Sequence, residues 1–180
     1  YPFIFGTWIF LLAAVGFSGI PSEALPQAEE LPALSPDATS LQRIAEFISY
    51  LLSSISQIYF KDHVASALFI IAGLAVSSIA AALFALGGAL IAVVTAHLYG
   101  VESELISSGI QGFSPVLTAV AFGTVFYRPS FRVALYAALA TVVTVVAQSA
   151  LNTLLTPLGI PPLSAPFQLA ALLLFIHKAN

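Results

Sequence analysis

GIQGFSPVLTAVAFG, the stretch from Gly109 to Gly123, puts a helix breaker and turn formers in the middle of strongly apolar sequence. Backbone groups freed by Gly112, Ser114 and Pro115 find no water in a hydrocarbon core. Non-helical backbone at that depth persists only where it is buried in protein or lines a cavity. The stretch is therefore a candidate for a pathway through the membrane. Phe113 and Leu117 are four residues apart, so if the segment after the break is helical they share a face and form an apolar constriction. The competing reading is a Pro-kinked helix whose aromatic ring packs against a neighbour.

Composition sets the class around this stretch. Of 180 residues, 59% are hydrophobic and 7% charged, and the mean hydropathy is +1.02; an average soluble domain has roughly 25% charged residues. No Asp, Glu, Lys or Arg occurs in 64–101, 105–127 or 133–177, and each run is long enough for at least one crossing of about 20 residues. Alternating segments near 10 residues, the signature of a membrane barrel, are absent. The expected fold is an all-α polytopic membrane protein, a bundle of transmembrane helices with re-entrant and broken members. The chain has no cysteine, which rules out disulfides, thiolate nucleophiles and cysteine metal sites. Its net charge of −3 is small and scattered, which argues against a nucleic-acid partner. There is no Met at position 1 or elsewhere, so the chain reads as part of a longer product.

In order along the chain, 1–15 is an apolar run too short for a full crossing and reads as the end of a preceding transmembrane helix. Residues 16–40 hold Pro21, Pro26, Pro32 and Pro36 with Glu23, Glu29, Glu30 and Asp37, the composition of a solvated linker. Apolar residues at helical spacing over 41–52, capped by Thr39 or Ser40, predict an amphipathic helix at the interface. SISQIYFKDH, 54–63, is too short to span and reads as an entry loop or a re-entrant half-helix. Crossings are expected at 64–79, 81–99, 109–127, 133–156 and 164–177, with a tight turn near Ser77 and Ser78 and a loop carrying Glu102 and Glu104. Gly73, Gly87 and Gly88 suit close helix packing. Arg128, Arg132 and Lys178 fall on one side and the acidic linker on the other, so the positive-inside rule puts the linker outside.

Little in the chain can carry covalent chemistry. His63, His97 and His177 sit at the ends of different segments with no spacing that makes a metal cage. No acidic residue lies inside an apolar run, so neither a catalytic triad nor a carboxylate pair can be drawn there, and a proton relay lacks its groups. The sequence argues against an enzyme and against a driven pump, and no cofactor is implied. What remains in the membrane is neutral polar groups and aromatics: Gln57, Gln111, Gln148, Asn152, Ser164 and Gln168, with Phe60 and Phe113. Gln148 and Asn152, at i and i+4, read as interhelical hydrogen-bonding residues.

Four segments in order carry a family resemblance: SISQIYFKDHVASALFIIAGLAV (54–76), ALGGALIAVVTAHLYG (85–100), GIQGFSPVLTAVAFG (109–123) and LTPLGIPPLSAPFQLAALLLF (155–175). The chain resembles the second homologous half of the urea transporter family, and YPFIFGTWIFLLA (1–13) resembles the end of the first half. The resemblance implies one half of an inverted-repeat channel fold in the cell membrane, here a bacterial inner membrane. It also implies passive passage of urea, a homotrimer with one pore per protomer, and a first half preceding Tyr1 that completes the pore. By the same resemblance Gln57 and Phe60 match the re-entrant segment's Gln or Glu and Phe, Phe113 and Leu117 match the broken helix's Phe and Leu, and Ser164 matches a hydroxyl residue before the last helix. Where the family commonly has Asn then Gly after the aromatic, this chain has Ser114 and Pro115. Urea is planar and neutral with four N–H donors and one carbonyl, so a file of acceptors between phenyl walls replaces its water shell and rejects hydrated ions. A channel for another small neutral solute such as ammonia or water, and a non-transporting structural membrane protein, are the alternatives.

Overall fold

A computed structural model describes residues 2–15, 40–59, 63–101 and 103–176. Eight α-helices follow one another: α1 (Pro2–Val15), α2 (Ser40–Ser56), α3 (Val64–Ser77), α4 (Ile79–Leu98), α5 (Ser103–Ser107), α6 (Phe113–Val120), α7 (Phe131–Leu155) and α8 (Ala165–Ile176). No strand occurs among the described residues. Among the described residues two helices are each long and apolar enough to cross a membrane: α4, and α7 with its 3-10 extension to Leu158. Each starts where a serine ends the preceding segment. The Ser78 hydroxyl accepts from Ala81 N at 3.3 Å and the Ser130 hydroxyl from Val133 N at 3.2 Å, each satisfying one of the orphan donors of a first helical turn.

The short helix α6 is the centre of the bundle, packed between α4 and α7, with α8 against α6 and α7 and with α2 and α3 against α4. Small residues make this approach possible. Ala85, Ala89, Ala92 and Ala96 recur on one face of α4 and are buried, and a Cβ at Gly88 would lie 2.5 Å from Ala119 Cβ and 3.3 Å from Val116 Cα. In lipid, where apolar contact between helices gains nothing over contact with acyl chains, such close backbone approach is the main packing force. Gly73 and Gly87 do not share that role, for nothing lies within 4 Å of a Cβ built on either. Leu83, Leu86, Leu90, Val94 and Leu98 are exposed on the opposite face of α4, an apolar exterior of the kind a bilayer covers.

The helix boundaries depart from the sequence expectation in three places. The amphipathic helix does not stop at Leu52: α2 runs on to Ser56 and ends in a 3-10 turn, Gln57–Tyr59. Ser54 Oγ donates back to Tyr50 O at 2.9 Å and Ser56 Oγ to Ser53 O at 3.1 Å, so these serines turn their hydroxyls onto the helix itself and the helix continues through them. The loop between α4 and α6 contains the single helical turn α5. After Val120 the chain widens into a π-helical turn, Ala121–Val125, at the point where a Cβ on Gly123 would strike the Phe84 ring. Phe122 there is fully buried and meets Phe126, Tyr127 and Tyr136 with ring centroids 5.4, 6.3 and 5.6 Å away.

Most of the acidic linker, Thr39, Phe60, Lys61, Asp62, Glu102, His177 and Lys178 lie outside the described residues. Helix α1 is tied to the loop before α8 by Trp8 Nε1, which donates to Pro161 O at 3.0 Å.

Candidate functional site

Three interruptions of helical structure converge beside the start of α6. The first is the end of α2. Gln57 there is buried, and its amide nitrogen donates to Ser108 O at 2.9 Å, which joins it to the second interruption, residues 108–112. That turn closes on itself through Gly109 N to Ile106 O (3.1 Å), Gln111 N to Leu105 O (3.1 Å) and Phe113 N to Gly109 O (3.2 Å). It also lies directly on α2. A Cβ on Gly109 would fall 2.8 Å from Ser54 N and closer still to the Ser53 carbonyl, and one on Gly112 would strike the Ser54 side chain. Gly109 also has φ +75°, a left-handed conformation that glycine adopts without steric cost. The third interruption is 156–164, pinned to α6 by Ser114 Oγ, which donates to Leu163 O at 3.3 Å. Leu163 itself has φ +51°, uncommon for a residue with a side chain.

This geometry places the interruption before Pro115. The helix is not kinked at the proline. It begins at Phe113, so Pro115 occupies the first turn, where its missing N–H would have had no intrahelical partner. The break lies before it, at Ser108–Gly112.

Of the residues singled out in the sequence, Gln57, Phe113, Leu117 and Ser164 are described and Phe60 is not. Phe113 and Leu117 sit one turn apart on α6, Phe113 only 7% exposed and Leu117 half-buried. Ser164 is half-buried at the entry to α8, where its carbonyl accepts from Gln168 N at 3.2 Å. Gln57 reaches the Gly109–Phe113 turn through Ser108, and Ser164 reaches the same helix start through its neighbour Leu163. The Ser114 of the unusual Ser114–Pro115 pair is the residue that makes the second link.

The sequence reading undervalued a polar seam between α6 and α7. Thr141, Thr144, Gln148 and Asn152 recur at helical spacing along α7, and the first three are fully buried. The Thr118 and Thr144 hydroxyls lie 2.9 Å apart, and each also lies within reach of a carbonyl of its own helix, Ser114 O and Ala140 O; with one proton apiece, one hydroxyl donates across the helices while the other donates to its own backbone. Gln111 Nε2 reaches Val145 O (3.3 Å) and Ser149 Oγ (2.7 Å), while Asn152 Nδ2 donates to Gln111 Oε1 (3.2 Å). Gln148 Nε2 donates to Asn152 Oδ1 at 3.2 Å, and its own Oε1 is buried without a partner. Interhelical bonding, expected of the Gln148–Asn152 pair, is thus carried by Asn152 alone, with Gln148 joined to it along α7. The spacing of the threonines was legible, but which helix they would face was not. Among the described residues no three His, Asp or Glu side chains gather in a cluster that would hold a metal ion.

An all-helical bundle with apolar exterior faces and a broken, neutral-polar centre is that of a polytopic membrane protein built around helix interruptions. The chain belongs to the urea transporter family: the family model described as urea transporter matches residues 1–179. Comparison with curated proteins returns no match. Family membership makes the protein a membrane transporter with urea as its solute, and the family resemblance stated from the four motifs holds over nearly the whole chain.

Proposed function

We propose that the protein is a channel through which urea and close neutral analogues pass down their gradient, without ATP or ion coupling. The observation that supports this reading is the chemistry of the convergence point. Gln57, Ser108, Gln111, Ser114 and Ser164 bring neutral donors and acceptors to three adjoining helix breaks, and among the described residues no charged side chain takes part in the hydrogen bonds that join them. Gln57 Oε1, with two lone pairs on an amide oriented by Ser108, serves as an acceptor for urea N–H groups. Phe113, with Phe60, forms the walls that admit a flat solute, Leu117 narrows the same face, and Ser164 is a further acceptor. A second half of the same kind completes the pore, each protomer of a homotrimer in the cell membrane carrying one.

The test is urea efflux from liposomes holding the protein at its native length. Flux that saturates weakly, needs no proton or sodium gradient and falls in Gln57→Leu supports the channel. Flux that appears only with an ion gradient refutes it, and conduction of ammonia or water with urea excluded favours the alternative solutes. Liposomes that pass no solute at all favour a structural role.

A further inference from the structure

Gln111 is buried and lies two residues before Phe113, in the turn that precedes α6. An apolar side chain of the same size would pack there with no polar atom to satisfy, so a buried primary amide at this depth costs free energy unless its hydrogen-bonding capacity is met. It is met on one face of α7. Both Nε2 hydrogens are used, one on Val145 O and one on Ser149 Oγ, and Oε1 accepts from Asn152 Nδ2. Val145, Ser149 and Asn152 follow one another at spacings of four and three, consecutive steps along a single helical face. Apolar packing tolerates small sliding of one helix along another. A three-point clamp does not, because a displacement by one turn would break all three bonds and leave an amide, a hydroxyl and a second amide unpaired in the bundle.

The direction of the chain of amides is fixed as well. A backbone carbonyl only accepts, so the group facing Val145 O must be Nε2. Asn152 then has to donate to Gln111 and accept from Gln148. The other ties of the 108–112 turn run back to α5, through Leu105 O and Ile106 O, and to the end of α2, through the close contacts of Gly109 and Gly112 and through Gln57. Gln111 is its tie to α7.

We propose that Gln111 is a positioning residue for the aromatic wall. By locking the turn to α7 at Val145, Ser149 and Asn152 it sets the axial and rotational position at which α6 begins, and so where the Phe113 ring stands and how strictly the slot excludes solutes bulkier than urea. This rests on the channel reading above for its consequence, but not for its geometry.

The experiment uses the protein with 4-fluorophenylalanine incorporated at position 113. It compares the parent, Gln111→Met, and the triple variant Gln111→Met, Gln148→Met, Asn152→Leu by 19F NMR, thermal melting in detergent and liposome flux of urea against N-methylurea. Gln111→Met is expected to move or split the fluorine resonance, to lower the melting temperature and to reduce the urea to N-methylurea ratio by about threefold to tenfold, the scale of one lost buried hydrogen bond. In the triple variant the linked amides are gone together and Ser149 Oγ falls back on Val145 O four residues earlier in its own helix, so stability recovers while the resonance stays displaced and the ratio stays low. A resonance that does not move in Gln111→Met overturns the proposal, because the seam is then packing alone. Recovery of resonance and ratio together with stability also overturns it. If the parent conducts no urea but the resonance still moves and stays displaced in the triple variant, the channel reading fails and the positioning of Phe113 by Gln111 stands.

Discussion

Gly109 and Gly159 offer a matched pair for measuring how tightly the broken segment is held against α2. Both have positive φ, +75° and +64°, so alanine at either carries the strain of a left-handed L-residue, about 1–2 kcal/mol. That strain is partly offset by the reduced freedom of the unfolded chain, about 0.4–1 kcal/mol. Their surroundings differ. A Cβ on Gly159 meets nothing within 4 Å, whereas one on Gly109 falls inside 3.0 Å of the Ser53 carbonyl and of Ser54 N. These are backbone atoms of a helix and cannot swing aside as a side-chain tip would. Overpacking of this kind adds about 1–3 kcal/mol. Gly109→Ala should therefore be less stable than Gly159→Ala by that difference, which at 2–4 °C per kcal/mol for a chain of this size is a gap of about 2–12 °C in Tm. Because relief of the clash must push the turn off α2, the Gln57–Ser108 bond lengthens and urea flux falls in Gly109→Ala, whereas Gly159→Ala conducts normally. The assay is detergent melting of both variants beside liposome flux. Melting temperatures within about 1 °C of each other, with equal flux, would refute the claim that the turn is seated on Ser53 and Ser54.

Three further outcomes follow from the packing. Gly87→Ala and Gly88→Ala should have opposite signs although the residues are adjacent: the first enters open space and gains helix propensity, about 0.5–1 kcal/mol, while the second meets Ala119 Cβ at 2.5 Å and separates α4 from α6, which paired melting curves will show. A double-mutant cycle of Thr118→Val and Thr144→Val should give a coupling near 0.6 kcal/mol and not above about 1.7, the range for polar pairs between membrane helices, because each hydroxyl keeps its own backbone acceptor. Gln148→Met should leave melting unchanged or raise it, since the lost bond to Asn152 is offset by removal of a buried acceptor without a partner, a group that costs about 1–3 kcal/mol; a fall of several degrees would mean that Gln148 Oε1 is satisfied by a water or another chain.

The sequence alone determined the class and much of the plan. Charge-free runs, the turn at Ser77 and Ser78 and the breakers at Gly109–Pro115 are local features, and hydrophobic length and turn chemistry act locally. The family motifs were legible for the same reason, as residues at fixed spacing. Where local signals competed, tertiary contact decided. The amphipathic pattern ends at Leu52, yet α2 continues to Ser56 because the Ser54 and Ser56 hydroxyls bond back along the helix and the Gly109–Gly112 turn covers that face. The sequence left a Pro-kinked helix open as a reading of this stretch, and only the position of the preceding turn showed that Pro115 lies in the first turn of α6. The clamp at Gln111 was beyond reach of the sequence altogether. Its three partners lie 34 to 41 positions away, and an amide's hydrogen bonds are set by which helix faces it, a relation that spacing along one chain does not encode.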